Sequence, residues 1–150
     1  MISLIRTDST HLDFQALVRF LDKELSIRDG EDHSFYAQFN KINNIPYAVV
    51  AYQHETPVAC GALRAFSPEA MEVKRMYVSE HLRGQGIASV VLEELEQWAK
   101  ELGYQKCILE TGKRQPEAIA LYLKKGYRII PNYGQYENIE NSVCFEKPLG

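Results

Sequence analysis

The chain has 150 residues, 45% of them hydrophobic and 25% charged, with a formal net charge of −3 at pH 7. That length suits a single domain over residues 1–150 with one sizeable core, and the charge gives no general attraction to a polyanion, which argues against nucleic acid as a partner. The opening MISLIRTDST is too short and polar for a signal peptide, and no apolar run nears the ~20 residues of a membrane span, so a cytoplasmic protein with no membrane partner is expected.

ISLIRT (2–7) reads as a short strand. In HLDFQALVRFLDKEL, Leu12, Ala16, Leu17, Phe20, Leu21 and Leu25 fall at helical spacing, with Ser9 or Thr10 as the cap. EDHSFYAQFNKI predicts a second, shorter helix. YAVVAYQ and PVACGALRAF are β-rich runs joined through the polar HET, which predicts an antiparallel hairpin, and AMEVKRMYVS is the next strand. Ile87, Val91, Leu95, Trp98 and Leu102 then give a helix with one apolar stripe, on whose wet face Glu96 and Lys100 are spaced to pair. QKCILET is a strand, QPEAIALYLKK a short helix with Pro116 in its first turn, and YRII and SVCFEKPL are closing strands. Cys60, Cys107 and Cys144 all sit in apolar strand-like runs, as reduced core cysteines do. The order β-α-α-β-β-β-α-β-α-β-β leads antiparallel strands into a βαβ unit. An α/β fold with a mixed sheet and helices on both faces is therefore expected.

The stretch Ser79–Gly103 sets glycines before the long helix, as phosphate-binding loops do. A Walker loop is excluded because no lysine follows Gly86: Ile87, Ala88 and Ser89 come next, with nothing to neutralise terminal phosphates. Gly84-Gln85-Gly86-Ile87-Ala88-Ser89 lacks the third glycine of a dinucleotide loop and follows antiparallel strands. Arg83, Gly86 and Ala88 do match R-x-x-G-x-[GA]. Small residues there let a pyrophosphate approach the main chain, and the helix presents its positive end. Six residues alone fit equally well a glycine turn that merely starts a helix.

Beyond the loop, MEVKRMYVSEHLRGQGIASVVLEELEQWA and QPEAIALYLKKGYR together resemble the GNAT family of N-acetyltransferases, over about Cys60 to Leu149. The resemblance implies the acyl-CoA N-acyltransferase fold, a mixed and mostly antiparallel sheet flanked by helices. It implies acetyl-CoA as co-substrate, no metal, and direct transfer to an amine of a small molecule or peptide. Arg83, Gly84, Gln85, Gly86, Ile87, Ala88 and Ser89 would hold the pyrophosphate, and the strand Met76-Tyr77-Val78 would pair with the pantetheine. Gln115 stands about where many members carry an asparagine that touches the cofactor.

The same resemblance puts Glu72, six residues before Val78, where several members carry a carboxylate base. On a regular strand Glu72, Lys74, Met76 and Val78 would share one face. A carboxylate is a weak base for an ammonium, so it would act through water or when buried. The competing arrangement is a solvated carboxylate paired with Lys74 or Arg64. Tyr122 falls where the family often places a tyrosine near the sulfur, and a phenol can protonate a leaving thiolate. Its alternative is a ring packed into the core.

Ser34 to Lys41 and the tyrosines of PNYGQYENIENS are candidates to wall the acceptor pocket. Arg64, Lys74 and Arg75 could anchor an acceptor carboxylate, although exposed strand cations are the commoner arrangement. The four histidines show no metal-ligand spacing. A non-catalytic acyl-CoA-binding module and a transferase for a longer acyl-CoA are the rival functions. The sequence names neither the acceptor nor the acyl length, and it leaves a homodimer open.

Overall fold

A computed structural model describes residues 1–29 and 45–150. The expected second helix and the Ser34–Lys41 wall fall outside the described residues. The strands are β1 (Ile2–Thr7), β2 (Tyr47–Gln53), β3 (Thr56–Ala65), β4 (Ala70–Val78), β5 (Lys106–Gly112), β6 (Arg128–Ile130) and β7 (Ser142–Pro148). The helices are α1 (Leu12–Asp29), α2 (Ile87–Glu101) and α3 (Pro116–Lys124). The strands make one sheet in the order β1-β2-β3-β4-β5-β7-β6. Every neighbouring pair is antiparallel except β4 and β5, which α2 joins as a parallel crossover. This is the expected mixed, mostly antiparallel sheet. Among the described residues no helix is long and apolar enough to cross a membrane.

Alternation along the central strands gives the sheet two apolar faces. Val49 and Ala51 point to α2, where Val91, Leu92, Leu95 and Ala99 pack with Leu63, Met71 and Val73. Ala48 and Val50 point the other way, to Phe14, Leu17 and Val18 of α1. Burying a leucine such as Leu95 fully is worth about 1.5–3 kcal/mol, so the stripe read in the sequence is the main attachment of α2. A Cβ on Gly61 would stand 2.6 Å from the Met76 sulfur and 2.7 Å from Leu95. Glycine is what lets α2 approach the sheet so closely.

Two local expectations are corrected. The cap of α1 is His11, whose Nδ1 accepts from the Asp13 amide at 3.2 Å, while Ser9 Oγ accepts from the Ile45 amide. Glu96 is buried, accepting from the Tyr127 hydroxyl at 2.8 Å and Lys147 Nζ at 2.9 Å. Its partners, the residue just before β6 and one in β7, come from later in the chain, which the i, i+4 pairing with Lys100 ignored.

A third correction shapes the site. Cys60 pairs with Tyr77 but Ala62 with Lys74, so two steps along β3 span three along β4. The additional residue is Arg75, in the left-handed region at φ 61°. This bulge reverses the alternation. Met76 and Val78 join Met71 and Val73 on the α2 face, whereas Tyr77 packs on the α1 face. Glu72 and Lys74 therefore do not share a face with Met76 and Val78.

β4 and β5 pair only through Ala70–Glu72 with Lys106–Ile108. β5 stays paired to β7 up to Gly112, so past Glu72 the two parallel strands diverge into a wedge.

Candidate active site

The wedge opens into a cavity of about 510 Å³, within the ~300–1,000 Å³ usual for small-molecule sites. Its walls are β4 from Glu72 to Val78, the turn from Leu82 to Ser89, the end of β5, α3, and the inner side of α1. The catalytic and cofactor-binding residues expected from the sequence line it except Gln85; of the acceptor-side candidates, Lys74, Arg75 and Tyr136 line it and Arg64 and Tyr133 do not. Main-chain groups of β4 beyond Glu72 face the wedge with no strand ladder to β5. Such an edge can accept an extended amide-bearing ligand as an added strand.

The glycine turn is built as a helix start. Gly86 occupies the N-cap of α2 at φ 86°, a backbone that side-chain-bearing residues rarely adopt. It brings no capping side chain, so the first-turn N–H groups of α2 keep their appetite for an anion. Ile87, Ala88 and Ser89 line the cavity there. The Arg83 side chain is already engaged: Nε donates to the Val78 carbonyl at 2.9 Å, and the two terminal nitrogens reach Glu24 at 2.7 and 3.1 Å. That bidentate pairing with Glu24 holds its pKa above the ordinary guanidinium value. Arg28 of α1 bridges to Glu117 of α3 at 2.6 Å. Two ion pairs thus tie α1 to the far walls of the cavity, a role that the periodicity of α1 did not announce.

Tyr122 packs its ring against Tyr127 and Phe145, with centroids 5.7 and 5.8 Å away, and also lines the cavity. Core residue and cavity wall are the same side chain. Burial, followed by the charge of Glu110, pushes its phenol above the ordinary pKa.

Glu72 is buried rather than solvated, at 6% exposure. It accepts from the Tyr133 hydroxyl at 2.7 Å, and Lys74 Nζ lies 3.7 Å from its other oxygen. Burial pushes the Lys74 ammonium below its usual pKa, Glu72 opposes the shift, and Arg64 adds to it. Of the two tyrosines of the β6–β7 connection, Tyr136 is buried and lines the cavity, whereas Tyr133 is not among its walls and reaches the site only through its bond to Glu72. Glu110 was not singled out in the sequence. It lines the cavity from β5 and accepts from Ser142 Oγ at 2.8 Å. A lone carboxylate in the apolar run KCILET was the signal available.

Glu72 belongs to the α1 side of the sheet and Tyr122 to the α2 side. The wedge joins them. A carbonyl held in it could meet a base from one face and an acid from the other.

The profile of the Acetyltransferase (GNAT) family matches residues 14–127. An "IAA acetyltransferase" of Azospirillum brasilense is 38% identical over 102 residues, covering 67% of each chain. The matched stretches span 56% to 67% of the length of four curated relatives. A solved structure from Klebsiella pneumoniae, assigned to the acyl-CoA N-acyltransferases, superposes with a TM-score of 0.83 at 28% identity, covering 100% of this chain and 99% of its own. A GNAT family acetyltransferase of Elizabethkingia anophelis, solved with acetyl-CoA bound, has a TM-score of 0.70 at 18% identity over 98% and 97% of the two chains. The chain belongs to the GNAT acetyltransferase family, and it is an acyltransferase with the acyl-CoA N-acyltransferase fold.

Proposed function

We propose that residues 1–150 form one N-acetyltransferase domain, which moves the acetyl group of acetyl-CoA to a primary amine of a small molecule or peptide by direct attack. The observation that carries this reading is the wedge. An unpaired β4 edge ends at a glycine turn and an uncapped helix start, with Glu72 and Tyr122 reaching the same cavity from opposite faces.

The residues present fit the donor in three respects. The amide edge from Val73 to Val78 suits the extended pantetheine, and a β4 N–H beside the thioester carbonyl would stabilise charge developing there. The turn from Arg83 to Ser89 and the positive end of α2 suit a pyrophosphate, and Gln115 lines the wall beyond. The donor, when bound, supplies the activated acetyl group. Glu72, oriented by Tyr133, takes the proton of the incoming amine directly or through water. Tyr122 gives a proton to the departing thiolate; burial keeps the phenol protonated but also makes it a weaker acid, so the charge developing on the sulfur must drive the transfer.

Incubation with acetyl-CoA and a panel of amines (amino acids, polyamines, aminoglycosides, peptides), following thiol release, tests the reading. Amine-dependent thiol release is expected. Tight acetyl-CoA binding with no turnover on any amine would instead favour a non-catalytic module.

A further inference from the structure

The bulge in β4 does more than bend the strand. Val73 and Met76 both face α2, so the two residues between them, Lys74 and Arg75, lie together on the α1 face. Consecutive cations normally point to opposite sides of a strand. Here both are enclosed, with side chains 5% and 1% exposed, and both line the cavity.

Among the described residues, the charges that compensate them are Glu72 and Glu110 for Lys74 and Asp22 for Arg75. Lys74 Nζ stands 3.7 Å from Glu72, beyond hydrogen-bond length, and Tyr133 holds the other Glu72 oxygen. Arg75 pairs with Asp22 of α1, whose side chain is 53% exposed and so can turn to solvent. The Arg75 Nε donor is buried with no hydrogen-bond partner among the described residues. A guanidinium offers five donors in a fork suited to a carboxylate, and burying one of them unmet is costly. Two adjacent cations in a low-dielectric wall repel each other until an anion comes between them.

We infer that the acceptor carries a carboxylate, which Lys74 and Arg75 hold in the cavity, so that the enzyme prefers small amino-carboxylates such as α-amino acids. This rests on the N-acetyltransferase reading above. The bound carboxylate would meet the Lys74 ammonium and take over or share the guanidinium now turned to Asp22. An acceptor anchored there has its amine within the same cavity as Glu72, which lies two residues from Lys74 on the same face of β4. A polyamine would instead bring further positive charge against the pair. Arg64, opposite Glu72 on β3, adds to the positive field at Lys74.

Matched acceptors test the inference: an amino acid, its primary amide, and the amine lacking the carboxyl carbon, each assayed by thiol release. The amino acid should show kcat/KM at least about tenfold above the other two. Lys74→Gln should erase that preference by raising the amino-acid KM, with the acetyl-CoA KM unchanged. Arg75→Gln should do the same where it folds. Equal turnover of acid and amide would overturn the inference while leaving acetyl transfer intact, as would variants that weaken only acetyl-CoA. A second measurement does not need turnover. Calorimetry on the CoA-saturated protein should find N-acetylalanine binding at least about tenfold tighter than N-acetylalaninamide. Equal affinities there would sink the carboxylate site even if no acceptor were turned over, and absence of turnover alone would count against the acetyl-transfer reading.

Discussion

The Tyr133 hydroxyl donates to Glu72 Oε2 across 2.7 Å, joining the β6–β7 connection to the strand that walls the cavity. Tyr133 is itself braced by Phe66, whose ring centroid is 5.0 Å away. The strand carboxylate is thus positioned by a residue 61 places later in the chain. If Glu72 is the base, Glu72→Gln should lower turnover most near neutral pH. Raising the pH should restore part of the rate, because more amine is then deprotonated unaided. Tyr133→Phe should lower turnover by a smaller factor, about tenfold, and shift the same pH profile. A Glu72→Gln enzyme with wild-type turnover from about pH 6 to 9 removes the carboxylate from the mechanism.

Tyr122→Phe keeps the ring packed on Tyr127 and Phe145 and deletes the hydroxyl alone. Turnover should fall by about 10²-fold, the lower end of general-acid contributions. Melting temperature and acetyl-CoA affinity should hardly move. Should the hydroxyl serve only a structural bond, the rate would stay and stability would drop by ~1 kcal/mol. Turnover and melting measured on this one variant separate the two roles.

A side chain at Gly86 would meet no protein atom within 4 Å, but it would have to adopt φ 86°. Gly86→Val should therefore leave the core intact and disturb the turn and the space a phosphate needs. Acetyl-CoA affinity should fall by at least about tenfold, ~1.4 kcal/mol, by calorimetry. A folded variant that binds at wild-type strength would reduce the turn to a mere helix start.

The buried thiols and phenols predict alkaline fragility. Desolvation raises Cys60 and Cys107 to about 12 and Cys144 to about 11, against an ordinary thiol value of 9.0. It also raises Tyr122, Tyr127, Tyr133 and Tyr136 above the ordinary 10.0. A raised folded value means that the folded chain keeps protons the unfolded chain has released. The stabilising contribution is thus complete below about pH 9 and declines as pH climbs toward the folded values. Denaturant midpoints should be level with respect to these groups at pH 7 to 8 and then fall. Each such group contributes a slope of up to about 1.4 kcal/mol per pH unit. A midpoint unchanged from pH 8 to 11 would contradict the burial described.

Most of the sheet was legible because alternation and turn residues are local properties. YAVVAYQ and PVACGALRAF announce a hairpin through their own β-rich composition and the polar residues between them, without help from elsewhere. The glycine turn and Tyr122 were legible through the motifs around them. Three features escaped, each for a physical reason. Nothing local in Lys74-Arg75-Met76 marks a bulge, since the extra residue is defined only by its register against Cys60 and Ala62 on β3. Glu96 looked like a wet-face partner of Lys100 because its true partners, Tyr127 and Lys147, lie 31 and 51 residues away. Glu110 is one carboxylate in an apolar run, and only the diverging of β4 from β5 gives it a cavity to line.

The wedge has a consequence for the solubility of the protein. Strand edges usually lie at the margins of a sheet, where charges, bulges or short strands guard them against pairing with another chain. Here a stretch of edge runs through the middle, open beyond Glu72 on the side of β4 that faces β5. Whatever small molecule fills the gap also acts as a stopper against strand invasion. The unliganded protein should therefore be the aggregation-prone form. Light scattering at a temperature just below melting should rise faster without CoA than with saturating CoA, and by more than the shift in melting temperature accounts for. Equal rates at matched fractions unfolded would show that the bulge at Arg75 and the flanking helices seal the opening without help.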